Sequence, residues 1–346
     1  MRAAVMRGDR FAVETRPDPT PGPGEVVVKV KACGICGSDL HYFHHALDII
    51  AMAAKLGAPT EEMHRTLDAG PILGHEFVCE VVDFGPNTVR TIPRGARVCS
   101  VPFVLKNGAP VLIGSNPETP GAYAEYMTLT EALLVPVAED TPTEAAALTE
   151  PVGIAVHAVN KAKLAPGETA IVVGCGPIGL AVIAVLKARG VRAIIASDLS
   201  PKRRELAGAM GATTVVDPRA ESVIAAAAAV VPGAPAVIFE NTGARGMLNQ
   251  LVLEAPQNAR ILVTGIPPGE ESFIPMLAIT KEIAMQFVIY YTPEEFAEAL
   301  HLIQSEAVNW RPLITGTVGL SGVTRAFKDL EDPERHAKIL IDPALA

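Results

Sequence analysis

The chain has 346 residues and a formal net charge of −9, with 49% hydrophobic and 19% charged residues. This length suits two domains better than one core, and the absence of a Lys/Arg run argues against a nucleic-acid partner. No apolar run is long enough to span a membrane, and charges occupy the start, where a signal peptide needs its apolar segment, so we expect a cytoplasmic protein. Five cysteines without an export signal argue against a disulfide framework.

Short strands dominate the first part of the chain. A Pro/Gly-rich turn covers residues 17–24, and a loop is predicted over roughly 105–121. The predicted strands are 25–31, 77–83, 96–101 and 122–129. Between them, residues 46–56 are rich in helix formers, and Thr60 is predicted to cap a second short helix that runs through Leu67.

The helix predicted over 46–56 presents an apolar stripe formed by Leu47, Ile50, Ala51 and Ala54. A stripe left in water would forfeit about 25 cal/mol per Å² of apolar area. We therefore expect it to be buried, either over a substrate cleft or against a neighbouring subunit. The cleft is favoured because the segment begins beside His41 and ends just before His75.

From residue 169 onward, strands alternate with helices. This alternation predicts a doubly wound parallel sheet with helices on both faces. Residues 281–291 are predicted to be the terminal strand of this sheet, and Thr292 is predicted to cap the helix that follows. The tail, 337–341, is predicted to be a strand that returns to the first domain. The apolar run 284–291 would leave an open sheet edge, which invites pairing with another chain.

A set of metal-ligand side chains comes from three separated points. These are the segment Cys33-Gly-Ile-Cys-Gly-Ser-Asp-Leu-His41, the triplet Gly74-His75-Glu76, and Glu150 before Pro151. A thiolate, an imidazole and a carboxylate, with a fourth position left for substrate, form the ligand set of a catalytic zinc. The candidate ligands are Cys36, His75 and two carboxylates, Glu76 and Glu150, and which of the two carboxylates binds the resting zinc stays open. Asp39 is a candidate partner for the other ring nitrogen of the histidine, and Ser38 and His41 could pass the proton of an alcohol to solvent.

Each of these patterns is weak alone. A Cys-x-x-Cys pair is more often structural or redox-active, and Cys33 can be a small core residue. A His-Glu pair is usually a surface salt bridge, and Glu150 can be a helix-end carboxylate. Together with a dinucleotide-binding turn, the catalytic interpretation is favoured. Residues 100–121 contain no cysteine, so we expect one zinc per chain and no structural zinc.

The dinucleotide-binding turn is Gly174-Cys-Gly176-Pro177-Ile178-Gly179, which follows an apolar strand and opens a helix. Its glycines allow a tight turn, close approach of the pyrophosphate and close packing of helix on strand. Asp198 ends the next strand at about the distance expected for a ribose acceptor, which favours NAD over NADP. Lys202 and Arg203 weaken this preference slightly, although Arg203 is expected under the adenine. The remaining predicted nucleotide-binding residues are Thr242 and Gly265.

These motifs closely resemble those of the zinc-dependent medium-chain dehydrogenase/reductase superfamily, in particular its sorbitol, butanediol and threonine dehydrogenase-like branch. The resemblance covers nearly the whole chain and includes the closing segments Tyr-Thr-Pro-Glu-Glu-Phe and Pro312-Leu-Ile-Thr-Gly316. It implies a β-rich GroES-like catalytic domain at 1–153 and 297–346, a Rossmann domain at 154–296, and NAD in the cleft between them. It also implies that Lys338 approaches the coenzyme phosphates, and that the protein is a homodimer or homotetramer.

The resemblance implies reversible hydride transfer between a secondary alcohol and NAD. The apolar side chains Phe43, Leu47, Ile50 and Phe103 favour a hydrophobic or cyclic alcohol. Two alternatives stay open: a polyol or amino-alcohol dehydrogenase, and a catalytically silent nucleotide-binding protein. The segment between His41 and Gly74 is longer and more helical than is usual in the family, and 100–121 lacks the four-cysteine lobe of many relatives.

Overall fold

The computed structural model describes residues 1–233, 236–267 and 269–345. Its strands are β1 (Arg2–Arg7), β2 (Arg10–Thr15), β3 (Glu25–Gly34), β4 (Glu76–Phe84), β5 (Arg97–Ser100), β6 (Phe103–Lys106), β7 (Ala109–Leu112), β8 (Tyr126–Thr130), β9 (Leu134–Pro136), β10 (Thr169–Val173), β11 (Ile194–Ser197), β12 (Thr214–Val216), β13 (Ala236–Glu240), β14 (Arg260–Val263), β15 (Ala284–Phe287), β16 (Ile314–Val318) and β17 (Lys338–Ile341). Its α-helices are α1 (Gly37–Lys55), α2 (Glu61–Ala69), α3 (Thr143–Ala146), α4 (Thr149–Ala162), α5 (Pro177–Ala188), α6 (Pro201–Met210), α7 (Val223–Val230), α8 (Met247–Glu254), α9 (Pro275–Thr280), α10 (Pro293–Gln304) and α11 (Val323–Leu330). Within these ranges, no helix is both long enough and apolar enough to cross a membrane.

The chain divides into two compact units. The first comprises Met1–Glu150, Ile314–Asp332 and Lys338–Ala346, and the second comprises Pro151–Leu313 and Pro333–Ala337. The return to the first unit therefore lies at Ile314, not at the predicted residue 297. Residue 297 falls inside α10, which packs within the second unit: Glu295 accepts a hydrogen bond from His157, and the rings of Tyr291 and Phe296 lie 5.5 Å apart.

The first unit is built on a mostly antiparallel sheet with the order β16-β17-β3-β4-β5-β9, to which β8 adds by pairing with β3. β3 is long enough to pair with β4 along one edge and with β8 along the other. Its core contains the fully buried side chains of Tyr123, Met127, Leu129 and Phe327. This sheet carries α1 at the end of β3, so the first residues of α1 are anchored to the most extensively paired strand of the unit.

The second unit is a parallel six-stranded sheet with the order β12-β11-β10-β13-β14-β15 in the described part of the chain. β10 lies at its centre, and every residue of β10, β11 and β13 is buried. Strands buried on both faces are expected in a sheet covered by helices on both sides. The predicted fold class, a doubly wound Rossmann sheet together with a GroES-like β domain, is confirmed.

Several local predictions differ from the structure. The hairpin β6–β7 occupies residues 103–112 and so replaces the first part of the loop predicted over 105–121. Asn107 and Gly108 both adopt positive φ (54° and 79°) and close its two-residue turn. The terminal strand is shorter than predicted and spans only β15. Thr60 precedes α2 but makes no capping hydrogen bond with its side chain. Thr292 does cap α10 as predicted, through a reciprocal capping box with Glu295.

The predicted stripe on α1 is wrong in its orientation. Ile50 is buried, but Leu47 is 65% exposed, and Ala51 and Ala54 are also exposed. The face that packs instead carries Phe43, Ala46 and Ile50, and Phe43 stacks on Phe11 at a ring-centroid distance of 5.2 Å. Both faces of the helix are apolar, so the periodicity of the sequence could not distinguish them, and packing against the core selected one.

Candidate metal and nucleotide sites

The N-terminus of α1 presents the thiol of Cys36. Cys36 is the residue before the helix, and its backbone N–H donates to the Asp39 carboxylate (3.0 Å), which closes a capping box. The Ser38 hydroxyl donates to Cys36 Sγ (3.2 Å) and lies 3.4 Å from His75 Nε2. The structure thus brings Cys36, Ser38 and His75 together at one point in the first unit.

His75 follows Gly74, a position that only glycine can occupy. Gly74 has φ of +101°, and a Cβ there would lie 2.5 Å from the Tyr123 ring. Residues 121–123 support this loop, since the N–H groups of Ala122 and Tyr123 donate to the carbonyls of Gly74 and Leu73. The backbone before His75 is therefore held by the segment that carries Tyr123.

Asp39 orients the ring of His75. Its Oδ1 lies 3.4 Å from His75 Nδ1, while its Oδ2 accepts hydrogen bonds from the Tyr123 hydroxyl (2.8 Å) and from Cys36 N–H. Burial alone would raise the pKa of Asp39, but His75, Tyr123 and Cys36 N–H outweigh it and lower that pKa. Burial alone would lower the pKa of His75, but Asp39 and Cys36 outweigh it and raise that pKa well above its usual range. Because Asp39 engages Nδ1, Nε2 faces Cys36 and Ser38.

Glu76 has a contact that the sequence did not suggest. Lys338 Nζ donates to both carboxylate oxygens of Glu76 (2.7 Å each) and to the carbonyl of Ile35 (2.9 Å). The two side chains are 0% and 1% exposed. Burial would lower the pKa of Lys338, but Glu76, Cys36 and Glu150 outweigh it and raise that pKa. The ammonium thus has three acceptors within the first unit, and the predicted contact of Lys338 with the coenzyme phosphates stays a prediction.

The predicted carboxylate ligands do not join Cys36 and His75 in a closed cluster. In residues 1–233, 236–267 and 269–345, no group of three His, Cys, Asp or Glu side chains is close enough to hold a metal ion. Glu76 faces Lys338, and Glu150 is buried in the first turn of α4. The part of the site that is assembled nevertheless fits zinc, since it offers a thiol and an imidazole whose second nitrogen has a carboxylate partner.

His41 lies one turn further along α1 than Ser38, where its ring contacts that of His45 with a centroid distance of 5.1 Å. The pKa of His41 is lowered, mainly by burial and to a smaller extent by the neighbouring His45. A lowered pKa keeps the imidazole neutral at pH 7, and a neutral imidazole can accept a proton.

The glycine-rich turn in the second unit has the geometry of a phosphate cradle. Gly174 has φ of +87°, and a Cβ on Gly179 would collide with the carbonyl oxygen of Gly174. A Cβ on Gly176 would instead enter open space, its nearest neighbour being Arg203 Nη1 at 4.0 Å. The first and third glycines are thus required by the fold, whereas Gly176 leaves room for a ligand. Pro177 is the first residue of α5, and Ile178 follows it, so both lie at a helix N-terminus that favours a phosphate.

Asp198 supports this turn. Its two oxygens accept hydrogen bonds from the N–H groups of Cys175 and Ser200 (2.8 Å each). The backbone of Arg203 is capped by Ser200 Oγ, and its buried Nε has no hydrogen-bond partner in the described part of the chain. The structure therefore places Asp198, Arg203 and the glycine turn at the same edge of the sheet.

Two further residues at this edge were not predicted. Glu240 is 1% exposed, and its carboxylate accepts from Thr242 N–H (2.7 Å), Gly243 N–H (3.1 Å) and the Thr242 hydroxyl. Asn241 accepts a hydrogen bond from the Thr264 hydroxyl (2.7 Å) and donates to the Phe239 carbonyl (3.0 Å). These bonds hold Thr242 beside Gly174 and fix the loop that adjoins Gly265. The position of both residues at the end of β13 was the only signal in the sequence.

Comparison with known proteins identifies the family of both parts of the chain. The zinc-binding dehydrogenase family profile matches residues 177–305, and the alcohol dehydrogenase GroES-like domain profile matches residues 22–139. The chain is 31% identical to (R,R)-butanediol dehydrogenase of Bacillus subtilis, with 99% of this chain and 100% of the relative covered. It is 28% identical to sorbitol dehydrogenase of Bacillus subtilis, with 99% and 97% covered.

A solved structure also matches over the full length. The crystal structure of 2R,3R-butanediol dehydrogenase from Bacillus subtilis aligns with a TM-score of 0.85 at 31% identity and covers 99% of both chains. The chain belongs to the zinc-dependent medium-chain dehydrogenase/reductase family, whose cofactors are zinc and a nicotinamide dinucleotide.

Proposed function

We propose that the protein is an NAD- and zinc-dependent dehydrogenase that interconverts a secondary alcohol and a ketone. The observation that carries this proposal is the convergence of Cys36 Sγ, Ser38 Oγ and His75 Nε2. The chain combines this donor set with a glycine turn that has the room and the helix N-terminus required for a pyrophosphate.

Cys36, His75 and Glu150 are the residues proposed to hold one zinc ion per chain. Both carboxylate oxygens of Glu76 accept hydrogen bonds from Lys338, and Glu150 is the carboxylate of the Glu-Pro pair that resembles the family motif. Asp39 holds the His75 ring with Nε2 toward the thiol, as a partner to a metal-ligating histidine does.

Ser38 and His41 are proposed to carry the proton of the alcohol. When bound, zinc supplies Lewis acidity that makes the substrate hydroxyl easier to deprotonate, and NAD supplies the hydride acceptor. Ser38 Oγ lies beside both Cys36 and His75, so it can accept a hydrogen bond from a hydroxyl placed there. His41, kept neutral by its lowered pKa, is the next base along α1.

The preference for NAD over NADP is proposed from the position of Asp198. A carboxylate at the end of this strand accepts ribose hydroxyls and repels a 2′-phosphate. Of the neighbouring cations, Lys202 pairs with Glu205 (2.8 Å), and Arg204 donates to the Asp198 carbonyl (2.8 Å). Arg203 is the cation closest to the turn, and we propose that it packs against the adenine.

The proposed substrate class is a secondary alcohol in general, which is broader than the hydrophobic or cyclic alcohol that the sequence favoured. Of the four apolar residues that favoured a hydrophobic alcohol, Phe43 stacks on Phe11, and Ile50 is 3% exposed, so both belong to the core of the unit. They no longer support a hydrophobic substrate. A polyol or diol is the second candidate, because the relatives matched over nearly their whole length are named for butanediol and sorbitol.

The protein is further proposed to be a homodimer or homotetramer. β15 forms one edge of the parallel sheet, and apolar side chains are exposed on and near it: Met276 (67%), Ile279 (70%), Phe287 (65%) and Ile289 (61%). An apolar edge strand is a template for pairing with another chain. A second copy of this chain presents the same edge and could pair there symmetrically.

The proposed activity is tested with a panel of secondary alcohols, diols and polyols and with NAD, scored by the absorbance of the reduced cofactor. Zinc content is measured on the same samples. Cys36→Ser should lose both zinc and activity, whereas Cys33→Ala should retain zinc, because Cys33 is fully buried and its thiol donates to the Gly34 carbonyl.

Three results would contradict the proposal. A wild-type protein that binds NAD but carries no zinc and oxidises no alcohol in the panel would be the catalytically silent nucleotide binder. Two zinc ions per chain would contradict the single site. Zinc lost from Cys33→Ala but kept by Cys36→Ser would reverse the assignment of the two cysteines.

A further inference from the structure

Tyr123 belongs to the network behind His75, although it lies 84 residues from Asp39 in the chain. Its hydroxyl donates to Asp39 Oδ2 at 2.8 Å, the same oxygen that accepts Cys36 N–H at 3.0 Å. The other oxygen of the carboxylate faces His75 Nδ1 at 3.4 Å. Two donors on one oxygen fix the rotation of the carboxylate about its Cβ–Cγ bond, and they leave Oδ1 directed at the histidine.

The Tyr123 ring cannot move independently of this site. It is 0% exposed and packs edge-on against Phe327 (6.2 Å, 90°) and against Phe11 (6.1 Å, 70°). On a third side the ring covers Gly74, where an added Cβ would lie 2.5 Å away. The ring therefore contacts the backbone immediately before His75, while its hydroxyl contacts the carboxylate beside the His75 ring.

A simpler role for the hydroxyl would be to satisfy its own hydrogen-bonding need in the core. That role predicts a loss of folding stability on removal of the hydroxyl and no effect on metal binding. The hydroxyl of Tyr123 does more than find an acceptor in the core, because its acceptor is Asp39, the carboxylate that orients the proposed zinc ligand His75. Partners of this kind affect metal affinity by about 10- to 100-fold when they are removed.

We propose that Tyr123 is a positioning residue for the metal site: through Asp39, its hydroxyl holds the His75 ring with Nε2 facing Cys36 Sγ. This inference rests on the proposed function in one respect, namely that Cys36 and His75 bind zinc. It adds a third member to the pair Asp39–His75, and it assigns a role to a tyrosine that none of the sequence motifs included.

The test compares Tyr123→Phe with Tyr126→Phe in the zinc-loaded full-length protein. Phenylalanine keeps the ring that packs on Phe11, Phe327 and Gly74 and removes only the hydroxyl. Tyr126, on β8, is a matched control from the same segment of chain. Zinc retention is measured by competition with a chromogenic chelator, and the ligand geometry is measured by the visible absorption spectrum of the cobalt-substituted protein. Neither readout requires substrate or NAD.

We expect Tyr123→Phe to bind zinc about 10-fold more weakly than wild type and to alter the cobalt spectrum, with Tyr126→Phe unchanged in both. In an Asp39→Asn background, Tyr123→Phe should add no further loss, because the acceptor that transmits its effect is already changed. A merely structural role would instead lower the melting temperature of the metal-free protein and leave zinc affinity and the cobalt spectrum at their wild-type values.

The outcomes separate this inference from the proposed function. Wild-type zinc affinity in Tyr123→Phe, with wild type binding zinc and oxidising alcohol, would overturn the inference alone. The same would follow if the losses from Tyr123→Phe and Asp39→Asn were additive. A wild-type protein that binds no zinc would remove the proposed function and this inference together.

Discussion

Lys338→Met should destabilise the first unit far more than the loss of an ordinary ion pair. Lys338 Nζ lies 2.7 Å from both oxygens of Glu76, and the two side chains are 1% and 0% exposed. Methionine fills a similar volume but removes the charge, which leaves the Glu76 carboxylate buried without its counter-ion. Breaking a buried pair from one side costs about 3–5 kcal/mol.

A matched control is available on the same sheet. Lys31 pairs with Glu80 at 3.3 Å, but both side chains are 34% exposed, so water screens the pair, and Lys31→Met should cost about 0–1 kcal/mol. For a domain of 150–250 residues, 1 kcal/mol corresponds to about 2–4 °C in melting temperature. The two variants should therefore differ clearly, with a drop of roughly 6–20 °C for Lys338→Met and less than about 4 °C for Lys31→Met.

The assay is thermal unfolding of the metal-free protein followed by circular dichroism, so that a change in zinc binding does not contribute. Adding Glu76→Gln to Lys338→Met should recover most of the loss, because no unpaired charge then remains in the core. The reasoning would be refuted if Lys338→Met melted within error of Lys31→Met, or if the double variant were less stable than the single one.

Three further changes test other parts of the structure. Asp198→Ala should weaken NADH binding about tenfold and reduce the preference for NADH over NADPH, as measured by fluorescence titration. An unchanged preference for NADH would show that Asp198 does not contact the ribose. Phe287→Asp should weaken self-association about 30-fold or more and shift sedimentation toward monomer, whereas a wild type that is already monomeric at micromolar concentration would contradict the proposed edge pairing. Ile50→Asp should destabilise the first unit by about 3 kcal/mol or more, since it places a charge in the core, whereas Leu47→Asp on the exposed face should stay within about 0.5 kcal/mol; equal losses would mean that the packed face of α1 is misassigned.

Local chemistry was enough to predict much of this protein. The glycine turn could be recognised because its first and third glycines have local steric reasons: Gly174 adopts positive φ, and Gly179 packs on a carbonyl. The cap of α10 could also be predicted from the sequence, since Thr292 and Glu295 lie within one helical turn of each other. The β6–β7 hairpin was equally local, and its Asn107-Gly108 turn should have identified it.

The long-range contacts that complete the site could not be predicted from the local sequence. Tyr123 meets Asp39 across 84 residues, and Lys338 meets Glu76 across 262. Nothing in the local pattern around a tyrosine or a lysine identifies a partner so distant. The pairing of Glu76 with Lys338 exists because β17 returns to pair with β3, the neighbour of β4.

The orientation of α1 makes the same point for packing. Its sequence offers two apolar faces, one with Leu47 and one with Phe43. Phe11 and the surrounding core accept only the face with Phe43, so Leu47 is left exposed. Hydrophobic burial is non-directional and depends on which surface is available, and only the folded chain determines that surface.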